Sequence, residues 1–382
     1  MQSPTGNDPV QEANARLVRQ FGASPIDGLA EVPAFYAFGR GLFYSHRDFD
    51  DFLTALKAGK RCALVTGFNP SGSLHLGHKA ILDTSLFFQR ELGLKVFIPI
   101  SDDESYLSGK VGDLDVARSN AVRLARELLA YGFDPDRTRI LIDQLYTPIY
   151  PVAIHLARKL TLSEVRAAYG YDAQENPGRF FYPAIQAAHI LMPMLRLGFE
   201  RVLVPIGPDE DGHLRIARDL ASRFGLPKPA VLHAAVLPGL DGAKMSKSRE
   251  NSFGLFDDDP TIRRKVRRAF SGGAVSAAEH RRVGGDPARD IAYLCLKRYF
   301  LEPEEATKRA DAYRRGDILS GDLKAELADH LLAESRKLRS DLERISDDTL
   351  AHALMTDSRS ESMRARREAQ AAAGSQAGIA GA

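Results

Sequence analysis

Apolar residues along this chain follow two rhythms that take turns. The run RCALVTGF, from Arg61, is short, continuous and apolar, which predicts a buried strand. HLGHKAILDTSLFFQRELG then spaces its apolar positions as a helix does and stops at Gly93. The pattern repeats. KVFIPISDDE reads as a second strand that ends in acids, DVARSNAVRLARELLAYGF as a helix and TRILIDQL as a third strand. RVLVPIGPDEDGHLRIARDLASRFG supplies a fourth strand, a Gly-Pro turn and another helix. Such alternation predicts a parallel sheet with helices on both faces. Upstream, SHRDFDDFLTALKAG carries helix signals, with Ser45 as N-cap, acids in the first turn and glycine at the end. Between about 145 and 195 the alternation gives way to a helical pattern. After about residue 257 the strand signal stops, and TIRRKVRRAF, ARDIAYLCLKRYF, PEEATKRADAYRRG and SGDLKAELADHLLAESRKLRSDLERI all read as helices. The divisions expected are a helical lead-in over 1–60, a sheet-bearing region over 61–256 with the helical insertion at about 145–195, an all-helical region over 257–365, and a low-complexity, disordered tail over 366–382.

Composition narrows the class. The chain has 382 residues, long enough for two domains, with 44% hydrophobic and 27% charged residues, as in ordinary globular proteins. A net charge of +2 means that nucleic-acid binding, if any, comes from local patches. Cys62 and Cys295 lie far apart and suggest neither a disulfide framework nor a metal site, which fits a reducing cytoplasm. No run of 18 apolar residues predicts a membrane span, and MQSPTGNDPVQEANAR lacks the basic and apolar regions of a signal peptide.

Two short stretches carry candidate chemistry. NPSGSLHLGHK, from Asn69, lies where the first strand hands over to its helix. His75 and His78 are three apart, one helical turn, and Gly77 between them lets a flat group approach the backbone. This is either a phosphate-holding surface at a helix start or two surface histidines near a cap. DGAKMSKSRENS, from Asp241, places Lys244 and Lys247 in a segment rich in Gly, Ser and Asp, hence a loop. It is either a solvated basic loop or a pair of charges that closes on a triphosphate. The two stretches together, about 170 residues apart and at opposite ends of the α/β region, favour the phosphate reading for both.

HLGH and KMSKS resemble the two signatures of class I aminoacyl-tRNA synthetases. The resemblance extends over roughly residues 16–365. RGLFYSHRDFD, SDDESY, YPAIQAAHI, RIARDLASRFG, AFSGG and EHRRVGG look like the archaeal and eukaryotic type of tryptophanyl-tRNA synthetase. It implies an α/β fold: a Rossmann-like parallel-sheet catalytic domain with a helical insertion, followed by an all-helical, anticodon-binding C-terminal domain. It implies that an amino acid is activated with ATP and Mg²⁺ as an adenylate and passed to tRNA. By the same resemblance, His75 and His78 contact the ATP phosphates and Lys244 and Lys247 act on departing pyrophosphate. Thr66, Gly67, Gly77, Asp209, Met245 and Ser246 belong to the ATP site. Val65, Pro99, Glu104, Gln186 and Glu210 belong to the amino-acid site, with Gln186 matching the residue that holds the substrate ammonium group. A cytoplasmic homodimer, paired through the helical insertion, is also implied.

The amino-acid pocket departs from that pattern. The family places a Tyr and a Gln against the indole N–H where this chain has Val65 and Pro99, and a Gln where it has Glu210. Neither Val nor Pro can accept a hydrogen bond from a side-chain N–H. The expected reaction is therefore tryptophan activation and transfer to its tRNA, or the same reaction on another amino acid; a non-catalytic relative is disfavoured by the intact KMSKS. In TIRRKVRRAF, Arg263, Arg264, Arg267 and Arg268 form either a solvated helix face or a contact for tRNA phosphates. The acids of SDDES are read as substrate-binding or helix-capping, with no resident protein metal site expected.

Overall fold

The computed structural model describes residues 22–357, apart from 244 and 246–249. The loose N-terminus and the tail expected over 366–382 lie outside the described residues, as do Lys244, Ser246 and Lys247. Seven strands, β1 (Ser24–Pro25), β2 (Phe43–Arg47), β3 (Cys62–Val65), β4 (Lys95–Ile100), β5 (Thr138–Ile142), β6 (Arg201–Ile206) and β7 (Ala230–Ala234), form one sheet in the order β1-β2-β7-β6-β3-β4-β5. The five strands from β7 to β5 are parallel, and β1 and β2 add an antiparallel edge. The chain runs outward through β3, β4 and β5 and then returns to place β6 beside β3. That reversal makes a switch point, where open α/β sheets bind ligands beyond the strand carboxyl ends.

The parallel strands are buried on both faces, so their side chains split between two cores with a period of two. Leu64, Val96, Ile98, Ile100, Leu203 and Leu232 face one core. Ala63, Val65, Phe97, Val202, Val204 and Val231 face the other. Helices α1 (Phe49–Lys57), α2 (Lys79–Arg90), α3 (Asp102–Leu107) and α4 (Leu114–Tyr131) lie within the first half, and Gly132 ends α4 with φ 115°, a backbone that favours glycine. The insertion consists of α5 (Ile149–Ala157), α6 (Leu162–Tyr169) and α7 (Pro177–Leu197), and α8 (Asp211–Arg223) follows β6. Among the described residues, the elements after β7 are helices, among them α9 (Asp259–Arg268), α10 (Ala277–Val283), α11 (Ile291–Cys295), α12 (Pro303–Arg315), α13 (Ser320–Glu343) and α14 (Asp347–Ala353). Their apolar residues, among them Ile262, Val266, Leu331 and Leu338, join the first core.

The sheet has three strands that the hydrophobic pattern did not predict, β1, β2 and β7. Ser45, expected to cap a helix, lies inside β2; the helix starts at Phe49, with Asp48 before it at φ 49°. The reason is polar pairing. Ser45 Oγ lies 2.8 Å from His233 Nδ1. Arg47 donates two hydrogen bonds to Asp211, at 2.7 and 2.9 Å, and His233 Nε2 lies 2.9 Å from Asp211 Oδ1. Burial opposes the charge on Asp211, but His233 and Arg47 outweigh it and hold its carboxyl well below the usual range. Polar residues that satisfy one another are buried without leaving an apolar signature.

Candidate active site

A cleft of about 900 Å³ opens at the carboxyl ends of β3, β4, β6 and β7. Val65, Thr66 and Gly67 reach it from β3, Pro99 and Ser101 from β4, Ile206 and Gly207 from β6, and Ala234 to Leu237 from β7. Its wall includes every candidate of the ATP and amino-acid sites that lies among the described residues: Val65, Thr66, Gly67, His75, Gly77, His78, Pro99, Glu104, Gln186, Asp209, Glu210 and Met245. Lys244, Ser246 and Lys247 flank Met245 in sequence but lie outside the described residues.

The histidine segment is fixed by its own backbone. Gly77 N–H donates to His75 Nδ1 at 3.2 Å, and His75 N–H donates to His78 Nδ1 at 3.1 Å. Each Nδ1 is therefore an acceptor, and each neutral ring carries its proton on Nε2. The rings sit 3.8 Å apart, so this arrangement presents two N–H donors side by side. The segment is a 3₁₀ turn, Leu76–His78, that runs directly into α2. It is stitched to the chain that follows the KMSKS sequence: Leu76 N–H donates to Phe253 O at 2.8 Å and Leu255 N–H to Leu74 O at 2.9 Å. A Cβ on Gly77 would lie 3.0 Å from two atoms of the His75 ring and 3.4 Å from Met245 Sδ, so only glycine keeps this approach open. Gly207 has a similar role, since a Cβ there would lie 2.8 Å from Asp209 Oδ1.

The other half of the cleft is apolar on one side and polar on the other. Val65 is 1% exposed and Pro99 is buried; neither side chain offers an acceptor. Opposite them, Tyr169 donates its hydroxyl to Gln186 Oε1, and the His213 ring stacks on Tyr169 at 3.9 Å with a 6° tilt. His213 Nδ1 lies 2.9 Å from Glu210 Oε2. Glu104 accepts from Asn69 Nδ2 and, at 3.1 Å, from Lys110 Nζ. Burial, reinforced by the Glu210, Tyr171 and Glu104 charges, pushes the Tyr169 hydroxyl well up and keeps it a donor. Glu104 and Glu210 thus place two carboxyl groups at this end of the cleft, with Lys110 and Arg179 in the same lining. Tyr169, Tyr182, His189 and His213 line the site but were not singled out from the sequence. Tyr182 and His189 lie four before and three after Gln186, so the face of α7 that carries Gln186 contained the signal.

Behind the cleft, Asp102, Asp103 and Asp143 bring oxygens within 4.8 Å of one another. Asp102 and Asp143 are 0% exposed. His189 Nε2 lies 2.6 Å from Asp143, and Gln144 Nε2 donates to Asp102 at 2.8 Å. Burial and the Asp143 carboxyl push Asp103 up to about 8, and burial pushes His189 down to about 4. Two carboxyls that share a proton beside a neutral imidazole form a hydrogen-bonded network. Mg²⁺ prefers an octahedral site with several waters and substrate phosphates, which this closed grouping does not fit.

The basic helix α9 turns Ile262 and Val266 inward, and Arg263, Arg264, Arg267 and Arg268 are exposed. Among the described residues no helix is long and apolar enough to cross a membrane.

The family model of class I tRNA synthetases (W and Y) matches residues 57–336. The chain is 40% identical over 361 residues to tryptophan–tRNA ligase 2 of Halobacterium salinarum, covering 90% of this chain and 92% of that protein. It is 36% identical to tryptophan–tRNA ligase of Methanopyrus kandleri, covering 86% and 91%. Among solved structures, tryptophanyl-tRNA synthetase from Aeropyrum pernix K1 superposes with a TM-score of 0.82 at 32% identity, covering 90% of this chain and 97% of that one. A product-bound parasite tRNA synthetase superposes with a TM-score of 0.83 at 29% identity, covering 92% and 98%.

Proposed function

Because this chain belongs to the class I tRNA synthetases of the tryptophan and tyrosine family, we propose that its cleft performs the two steps that join tryptophan to tRNA(Trp). The protein activates tryptophan and transfers it to tRNA(Trp). The observation that carries the nucleotide half is the paired Nε2–H donors of His75 and His78, set beside Gly77 and Met245 at the sheet's switch point. Triphosphate oxygens accept from those donors, and adenine lies over Gly77, with Thr66, Gly67 and Asp209 completing the nucleotide site. A tryptophan carboxylate oxygen attacks the α-phosphorus, and the bond from that phosphorus to the bridging oxygen breaks. Pyrophosphate leaves with the electron pair, and Lys244 and Lys247 neutralise its growing charge. A ribose hydroxyl of the tRNA's terminal adenosine then attacks the acyl carbon and AMP departs. The protein's contribution is position and electrostatics, which account for most of the rate in such transfers.

Glu104, Gln186 and Glu210 receive the ammonium end of the amino acid, and Val65 and Pro99 form the wall against its side chain. Mg²⁺ accompanies the triphosphate as its counter-ion. Arg263, Arg264, Arg267 and Arg268 meet tRNA phosphates, and the helical region after residue 257 reads the anticodon. The helical insertion supplies a homodimer contact, for which exposed Ile154 and Leu162, each 60% exposed, provide apolar area. A cytoplasmic location fits the two buried, unpaired cysteines.

Pyrophosphate exchange into ATP with each of the twenty amino acids tests the reading. Exchange that depends on tryptophan, followed by tryptophan charging of tRNA(Trp), is the expected result. Exchange driven by a different amino acid, with none by tryptophan, would reject it.

A further inference from the structure

One turn of α13, far from the cleft in sequence, holds both the residue that follows the histidine turn and the segment that pairs with that turn. Lys79 directly follows His78 and starts α2. Its ammonium donates to Glu334 Oε1 at 2.5 Å and to Tyr131 Oη at 3.4 Å, and lies 3.3 Å from Asp83 Oδ2. Burial works against this charge, but Asp83 and Glu334 outweigh it. Asp83 also takes the hydroxyls of Tyr36 and Tyr131, so the start of α2 is fixed from three directions. The next residue of α13, Ser335, donates its hydroxyl to Asp257 O at 2.7 Å, and Arg339 donates to the same carbonyl. Asp257 Oδ2 in turn accepts from Gly254 N–H at 2.9 Å and Lys265 Nζ at 2.7 Å. Gly254 bridges to His75, in the short stretch that follows the KMSKS loop. Arg339 also holds Asp259, the first residue of α9, at 2.7 Å.

We propose that Glu334 and Ser335 are positioning residues of adenylate formation: together they hold the histidine turn and the 253–257 segment that pairs with it in fixed register, and so fix where the His75 and His78 donors stand in the cleft. The inference rests on the adenylation reading. Its physical basis is that reacting groups held in register carry much of the rate, and a displacement of about 1 Å can cost ~100-fold. Neither residue touches the cleft lining, so both act through Lys79 and Asp257.

The test is tryptophan-dependent pyrophosphate exchange by Glu334→Gln, Glu334→Asp, Ser335→Ala and the control Lys337→Ala, each with its Tm. Calorimetry of ATP binding accompanies each variant. Lys337 is exposed on the same helix and pairs with Asp341. Glu334→Gln is expected to lower kcat about 10-fold and to raise KM for ATP, with KM for tryptophan within about twofold. Ser335→Ala moves in the same direction by less, Glu334→Asp regains part of the loss, and Lys337→Ala equals wild type. Wild-type kcat and KM for ATP in Glu334→Gln would overturn the proposal. So would equal losses toward ATP and tryptophan that follow Tm. A wild type that binds ATP but exchanges no pyrophosphate with tryptophan defeats the functional reading instead. The positioning role is then decided by ATP affinity, which Glu334→Gln must weaken and Lys337→Ala must not.

Discussion

Gly77→Ala separates the needs of the cleft from those of the fold. The φ of Gly77 lies outside the left-handed region, so alanine adopts the backbone without strain. What changes is contact. The new methyl meets His75 Cε1 and Nδ1 at 3.0 Å and Met245 Sδ at 3.4 Å. Met245 is flexible and gives way easily. The His75 ring is 8% exposed and is held by the N–H of residue 77 itself, so it must shift by a few tenths of an ångström and lengthen that bond. Overpacking of this kind costs ~1–3 kcal/mol. Replacing glycine in a helical turn returns about 1 kcal/mol through chain entropy, so the net stability change is only ~0–2 kcal/mol. The displaced ring is one of the two proposed phosphate donors, and it has no such compensation. The expected result is a Tm within a few degrees of wild type and a kcat/KM for ATP in pyrophosphate exchange reduced about 10–100-fold, the factor that 1.4–2.8 kcal/mol gives. KM for tryptophan should hold. A variant with wild-type Tm and wild-type kcat/KM for ATP would refute the assignment of His75 to the triphosphate.

Two further perturbations address other parts of the molecule. Changing Arg263, Arg264, Arg267 and Arg268 together to Ala is expected to weaken tRNA binding and to flatten its log–log salt dependence by up to about 3, while adenylate formation is unchanged; an unaltered slope returns α9 to a solvated face. Asp103 has a folded pKa of about 8 against an ordinary 3.8, so it contributes stability below about pH 4 and loses it as pH rises toward 8. Asp103→Asn keeps a neutral donor toward Asp143, and its Tm should exceed that of wild type by a margin that grows from pH 5 to pH 9; a margin that shrinks over this range contradicts the shared-proton network.

The parallel half of the sheet was legible because its strands are apolar on both faces and its helices are amphipathic. Leu64 and Val65 serve opposite cores, yet both register as hydrophobic, so β3 stands out from its neighbours. The antiparallel edge was not legible, because Arg47, Asp211, His233 and Ser45 bury one another and leave a polar string, FYSHR, where a strand lies. In the cleft lining, HLGH and Met245 had been singled out by their signatures and Gln186 and Glu210 by resemblance. Tyr169 and His213 were not, since their importance arises from a stack between α6 and α8 that only the folded chain creates. The hold of α13 on Lys79 and Asp257 is still more distant, spanning 255 residues in the first case and 78 in the second. A helix that reads as an ordinary amphipathic packer gives no sequence sign of such a task.

The remaining tension lies in how this pocket reads an indole. Val65 and Pro99 present carbon where the family sets two hydrogen-bonding side chains, and an apolar wall distinguishes side chains by only ~1–3 kcal/mol for each group. Burying an indole N–H or a phenol hydroxyl against that wall without an acceptor is unfavourable in both cases, so the wall separates tryptophan from tyrosine by size and shape rather than by hydrogen bonding. The acceptor side chains lie on the opposite side of the cleft, where the proposed roles place Glu104, Gln186 and Glu210 at the ammonium end. Glu104 already receives Asn69 and Lys110, and Gln186 receives Tyr169. Those bonds fix their orientation and spend part of their capacity. Glu210 lies beside the His213 ring, which itself stacks on Tyr169. A carboxylate accepts from both an ammonium group and an indole N–H, and an Asn or Gln amide does so more weakly. On the proposed reading the family's hydrogen-bonding pair at one wall is replaced by Val65 and Pro99, while the polar groups of the other wall, Glu104, Gln186 and the Glu210–His213–Tyr169 group, are held for the substrate ammonium group.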